Sequence, residues 1–303
     1  MYNKKNRKII LLLFFIGSAI FLFPAISYSQ YWGLKWHQIK SKPFIIHYLN
    51  NDVTYSDIVL KTLKNFYPRL SSEIGYQEKS TIMVFLCNSD KAYNLIVGKN
   101  FPKWSEGVAQ PANKLIIIKS GVNSSKIIVH ELTHILLHSA VNSKPIPRWF
   151  DEGLAVFYSD EQEFASSSLI SKALITNSII PLSDIDDVLT FHTSKAQLAY
   201  QESYLAVLFL IEEFGLDGIK RVVTALAEKE NEDQALIAAI GIDLWDFETA
   251  WIKYLKRKYR WHFLVEFDTY LWLFILLLFL AGFMLMRRRN KKTMQRWEEE
   301  DRY

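Results

Sequence analysis

The sequence of 303 residues predicts an α+β domain that carries one C-terminal transmembrane helix. Three observations predict it. Short runs rich in β-branched and aromatic residues alternate with helical periodicity from about residue 35 to 122. From 123 to 262 helical spacing dominates, so a small mixed sheet with helices is followed by a mainly helical half. Thr269–Met286 then contains no charge and ends in Arg287-Arg288-Arg289; as a helix it is about 27 Å long, enough to cross a bilayer. Hydrophobic residues make up 50% of the chain, which supplies one core of moderate size plus membrane segments.

At the N-terminus, Lys4, Lys5, Arg7 and Lys8 precede the apolar run Ile9–Phe23. Ser27 and Ser29 put small residues at the −3 and −1 positions of a cleavage site before Gln30. Residues 1–29 therefore read as a signal peptide, with an uncleaved signal anchor as the alternative; both place residues 30–262 outside the cytoplasm. Lys42–Leu49 and Thr81–Leu86 read as strands, Asp52–Tyr67 as an amphipathic helix stopped near Pro68, and Asn88–Val97 as a further helix. Lys114–Lys119 is a short strand with Leu-Ile-Ile-Ile at its centre. Cys87 is the only cysteine, so no intrachain disulfide forms, and its place after an apolar run marks a buried thiol.

In the second half, Asn123 and Ser124 are N-cap candidates for a helix with Ile127, Ile128, Leu132, Ile135 and Leu136 at helical spacing. Neither Gly nor Pro interrupts it before Pro145. Pro147 opens a second helix whose apolar positions are Trp149, Phe150, Leu154 and Phe157. Helices over Glu161–Thr176, Ser194–Phe214, Leu216–Glu228 and Asp243–Lys258 follow, with a loop at Pro181–Asp184 and with Gly215 and Gly241 at helix ends. Tyr270 and Trp272 flank the apolar segment as an interfacial belt would. Arg287–Arg289, Lys291 and Lys292 put the tail, residues 287–303, in the cytoplasm by the positive-inside rule. Lys253, Lys256, Arg257, Lys258 and Arg260 weaken that bias from the other side; they are either a solvated helix face or a contact for anionic head groups.

The formal charge of +4 comes from the termini. Residues 30–286 hold 25 basic and 28 acidic side chains, so the domain carries no basic excess of the kind that binds nucleic acid.

The chemistry is concentrated in His130-Glu131-Leu132-Thr133-His134. Four residues along a helix turn through about 400°, so the two imidazoles point the same way, one turn apart. Neutral imidazoles so placed can share a zinc ion, and Glu131, about 100° round the helix, stands where a general base for water belongs. A catalytic zinc takes three protein ligands and keeps one open position, and Glu152 on the following helix is the candidate third ligand.

These residues, His-Glu-Leu-Thr-His followed by Trp149-Phe150-Asp151-Glu152-Gly153-Leu154-Ala155, resemble the gluzincin branch of zinc metallopeptidases, and within it the peptidase-MA-like families. The resemblance implies a zincin-like domain in which His130, His134 and Glu152 hold one Zn²⁺ and Glu131 acts as base. Phe44–Tyr48, Pro102–Gly107, Lys114–Ile118 and Tyr200–Tyr204 look like that family's flanking segments, and the likeness covers roughly residues 40 to 215. It implies that Lys114–Lys119 lines the cleft and pairs with an extended substrate, against the reading that it is an internal strand with both edges paired. It also implies a tyrosine of the helical half as hydrogen-bond donor to the oxyanion: Tyr200 first and Tyr204 second, against the reading that both rings only pack between helices. Seventeen residues separate His134 from Glu152, one fewer than in aminopeptidase-N relatives. The Gly-x-Met-Glu-Asn stretch of those aminopeptidases is absent, so exopeptidase activity has no support. The third-histidine spacing of metzincins is also missing, which leaves His138 as a support to the site or a structural residue. The expected function is a membrane-anchored, extracytoplasmic zinc-dependent endopeptidase acting on peptides or proteins; the alternative is a non-catalytic binding or adaptor protein on the same fold.

Overall fold

β-Branched and aromatic residues build a sheet of five strands: β1 (His37–Ser41), β2 (Phe44–Tyr48), β3 (Ile82–Cys87), β4 (Gly107–Gln110) and β5 (Leu115–Lys119). The structure is a computed structural model that describes residues 34–49, 52–98, 106–121, 123–160, 167–190, 193–260 and 263–300. The expected signal segment and Pro102–Ser105 lie outside the described residues.

The strand order is β1-β2-β3-β5-β4. β2, β3 and β5 run parallel to their neighbours in that core, while β1 and β4 add antiparallel edges. Of the two readings of Lys114–Lys119, the internal strand holds and the cleft-lining one does not: it is paired with β3 on one side and β4 on the other. Its continuous run Leu115–Ile118 is buried throughout, as expected for a strand covered on both faces. The strand bordering the candidate site is β4.

α2 (Asp90–Val97) covers one face, where Tyr93 and Ile96 pack with Phe85, Val108, Leu115 and Ile117. Cys87 belongs to the same cluster and is a free, buried thiol. α1 (Val53–Ile74) and α3 (Ser124–Ala140) pack together and against the strands from the other face. α1 runs straight through Pro68, where the sequence predicts a stop. Pro68 is exposed, so the carbonyl it leaves without a helical partner faces water, while Val59, Leu63, Leu70 and Ile74 keep the buried stripe continuous. Gly75, at φ +79°, ends the helix in the left-handed conformation that glycine adopts without strain.

The helical half holds α4 (Arg148–Ser159), α6 (Thr193–Phe214), α7 (Asp217–Glu228), α8 (Glu232–Ile240) and α9 (Leu244–Tyr259). α8 was not anticipated from the sequence, although Asn231 caps it by accepting from Gln234 N at 2.9 Å. Trp149 stacks on Phe247 at a centroid separation of 5.3 Å, and Phe247 meets Phe209, tying α4, α9 and α6 into one core.

The chain divides into two compact units. The sheet and the helices just described, to Ala165 and again from Ile179 to Tyr254, form the first. The second joins α5 (Ser167–Thr176) to the end of α9 and to α10 (Phe263–Glu300). Ser171 Oγ donates to the Arg260 carbonyl at 2.9 Å, and α5 packs on α10. The expected transmembrane segment lies within α10, whose stretch Leu271–Met294 is long and apolar enough to cross a membrane and is exposed along its length. The helix extends beyond both ends of Thr269–Met286, because no Gly or Pro follows to stop it and the Arg/Lys/Glu tail consists of good helix formers.

Candidate functional site

α3 is buried on nearly every face, and that burial makes its polar residues conspicuous. His130, Glu131, His134 and His138 are at most 8% exposed. The His130 and His134 rings lie 5.0 Å apart at 69°, one helical turn separating them. α4 crosses α3 and delivers Glu152, whose Oε2 lies 3.7 Å from both His130 Nε2 and His134 Nε2. One donor atom from each of the three side chains falls within 4.8 Å of the others, so all three predicted ligands meet at one point.

His134 and Glu152 are held from behind. Asp151 Oδ1 accepts from the His134 ring at Nδ1, 2.7 Å away, which directs Nε2 toward Glu152. Asp151 Oδ2 bonds His138 Nε2 at 3.0 Å. Burial pushes the His134 pKa down, but the Asp151 carboxylate overrides it and the net shift is upward. Burial likewise opposes charge on Asp151, yet His134 and His138 hold its carboxyl well below the usual range. Arg148 Nε lies 3.2 Å from Glu152 Oε1, and against the cost of burial its guanidinium holds the Glu152 carboxyl below its ordinary value.

Glu131, fully buried, faces the edge strand. A Cβ on Gly107 would lie 2.9 Å from Glu131 Oε1 and 2.5 Å from Ile127 Cγ2, so only glycine lets β4 pass this close to the carboxylate. Tyr200 comes from α6. Its hydroxyl accepts a hydrogen bond from Arg148, and burial with the nearby Glu152 charge raises its pKa well above normal, keeping it protonated. Tyr204 lies one turn further along α6, also buried. Gly153 permits this convergence: a Cβ there would run into the Ser203 carbonyl and Val207, so the backbones of α4 and α6 approach closely.

Two participants had no assigned role in the sequence reading, Asp151 and Arg148. Their signals were present. Arg148 is four residues before Glu152, the spacing that brings opposite charges together on a helix, and Asp151 adjoins Glu152. What the sequence lacks is the crossing of α3 and α4 that puts Asp151 between two histidines of another helix.

Two imidazoles and a carboxylate form a donor set suited to zinc. The residues fit that ion: His134 Nδ1 is taken by Asp151, while its buried Nε2 makes no hydrogen bond among the described residues. His134, His138 and Asp151 form a second close group, but the Asp151 oxygens each bond one ring, so the trio is a hydrogen-bonded support.

Residues 63–257 match the sequence profile described as the Peptidase MA superfamily, a grouping that includes zinc metallopeptidases. No curated protein matches the chain.

Proposed function

The chain belongs to the peptidase MA superfamily, and from that premise we propose that it is a membrane-anchored, zinc-dependent endopeptidase whose domain lies outside the cytoplasm. The observation that carries the reading is the meeting of His130, His134 and Glu152 within 4.8 Å, with Glu131 on the same helix. His130 and His134 contribute ring nitrogens and Glu152 contributes Oε2. Zinc held there would supply Lewis acidity, activating water near neutral pH and polarising a peptide carbonyl.

The chain's own groups do the rest. Asp151 fixes the His134 tautomer so that a lone pair, not a proton, faces the centre. Glu131 takes the proton of the attacking water on a carboxylate oxygen and passes it to the leaving amine nitrogen. The Tyr200 hydroxyl donates to the carbonyl oxygen as negative charge develops there, an interaction worth on the order of 3 kcal/mol in comparable sites. β4, the sheet edge over Glu131, is where an extended substrate adds in register. The membrane anchor is α10, and Arg287–Arg289 with Lys291 and Lys292 orient its far end to the cytoplasm.

Glu131→Gln tests the mechanism in the full-length protein. The variant retains zinc at the wild-type stoichiometry, and its hydrolysis of an unfolded protein substrate falls by roughly 100-fold or more. Unchanged turnover rules the mechanism out, and a wild-type protein that takes up no zinc rules out the metal reading.

A further inference from the structure

Arg148 occupies an unusual position. It opens α4, its backbone N–H donates to Asp186 Oδ1 at 2.9 Å, and the side chain is 14% exposed. One guanidinium touches two groups with separate tasks. Its Nε lies 3.2 Å from Glu152 Oε1, and it donates to the Tyr200 hydroxyl.

We propose that Arg148 is a positioning residue that couples the metal ligand to the oxyanion donor: it decides which oxygen of Glu152 faces the histidines and aims the Tyr200 hydroxyl into the site. The proposal rests on the zinc-peptidase reading above.

The geometry argues as follows. A free glutamate can present either oxygen, or both, to a metal. With Oε1 engaged by Arg148, Oε2 remains as the oxygen at 3.7 Å from both histidine nitrogens. The guanidinium is planar and its donors diverge in a fixed fork, so the ion pair at Nε, 3.2 Å from Glu152 Oε1, restricts the directions open to the remaining N–H groups. The Tyr200 oxygen accepts from that fork, which leaves its own O–H as the donor and polarises it, since a hydroxyl that accepts from a cation is a stronger donor. Lysine cannot reproduce this: a single ammonium carries equal charge but no fork.

The test uses the full-length protein with Arg148→Lys, Arg148→Gln, Tyr200→Phe and the double variant R148Q/Y200F. Zinc affinity is measured by chelator competition; kcat and KM are measured at saturating zinc; thermal midpoints of the zinc-free proteins report folding. Arg148→Gln is expected to weaken zinc binding about 10- to 100-fold, the usual loss when a ligand's hydrogen-bond support is removed. At saturating zinc its kcat falls while KM stays within about twofold, as for an interaction made only in the transition state. Tyr200→Phe lowers kcat and leaves zinc affinity unchanged. The double variant at saturating zinc has the kcat of Y200F, because Arg148 acts on the oxyanion through Tyr200. Arg148→Lys restores part of the zinc affinity but little of kcat, and it carries the test if R148Q does not fold. Wild-type zinc affinity in R148Q or R148K overturns the proposal alone, as does a double variant whose kcat loss is the product of the single losses. A wild-type protein that binds no zinc overturns the proposal together with the reading beneath it.

Discussion

Glu202 shows how one buried side chain sets a pH dependence. It lies on α6 with no exposure, and both carboxyl oxygens accept from the Ile180 N–H, at 3.3 and 3.2 Å. Burial pushes its pKa up to about 9, well above the 4.5 of a free glutamate. Between those values the native state holds a proton that the unfolded chain has released. The contribution of this group is therefore fully present below pH 4.5 and is lost as pH rises toward about 9, by at most about 1.4 kcal/mol per pH unit. Glu202→Gln, which keeps the shape without the titration, is expected to gain stability relative to wild type as pH increases. Thermal midpoints of both proteins at pH 5 and pH 8.5 check this, and an equal difference at the two pH values disproves the assignment. Residue-scale chemistry was partly legible in the sequence. His130, Glu131 and His134 announce themselves by spacing along one helix, whereas Asp151 and Arg148 act through contacts that no local pattern encodes.

At the level of elements, the close approach of α4 to α6 brings Tyr200 to the site built by α3 and α4. Gly153 is followed by Leu154 and Ala155, and in sequence it looks like an ordinary small residue in a helix. In the fold it is where the two helices touch, since a Cβ there would meet the Ser203 backbone and, at 2.7 Å, Val207 Cγ2. Backbone cannot rotate aside as a side chain does, so Gly153→Ala should cost roughly 1–3 kcal/mol of stability. Prising the helices apart also withdraws Tyr200 from Arg148. A lower melting temperature together with a reduced kcat is the expected result; a variant matching wild type in both would show that the approach is not tight. Strand placement follows a similar logic. Composition identifies Leu115–Lys119 as a strand but not its neighbours, because edge and centre differ by pairing partners far away in sequence. The four-residue β4, with glycine at its start, carries too weak a pattern to be read beforehand, yet it is the strand over Glu131.

For the whole molecule, the proposed anchoring turns on where within α10 a span would begin and end. α10 offers Leu271–Met294 as a span, with Arg287–Arg289 inside that stretch toward its end. Hydrocarbon excludes such charges, so in the proposed anchoring the bilayer boundary falls before them and the segment Thr269–Met286 is the one that fits. Protease added to the outer side of sealed cells or vesicles should remove the domain and leave a tag at the C-terminus intact. Digestion of that tag, with the domain protected, would invert the topology. Release of the protein by alkaline carbonate would remove the membrane span altogether.

The sequence by itself determined the candidate ligands, the candidate base, the helical character of the second half and the apolar segment, because each depends on residues adjacent or one turn apart. Only the tertiary structure decided that Glu152 reaches the histidines, that β4 rather than β5 borders Glu131, that Pro68 sits harmlessly within α1, and that Asp151 and Arg148 hold His134 and Glu152 from behind. Those outcomes depend on how helices and strands cross. Crossing is set by the burial of many apolar side chains at once, and no short stretch of sequence contains that sum.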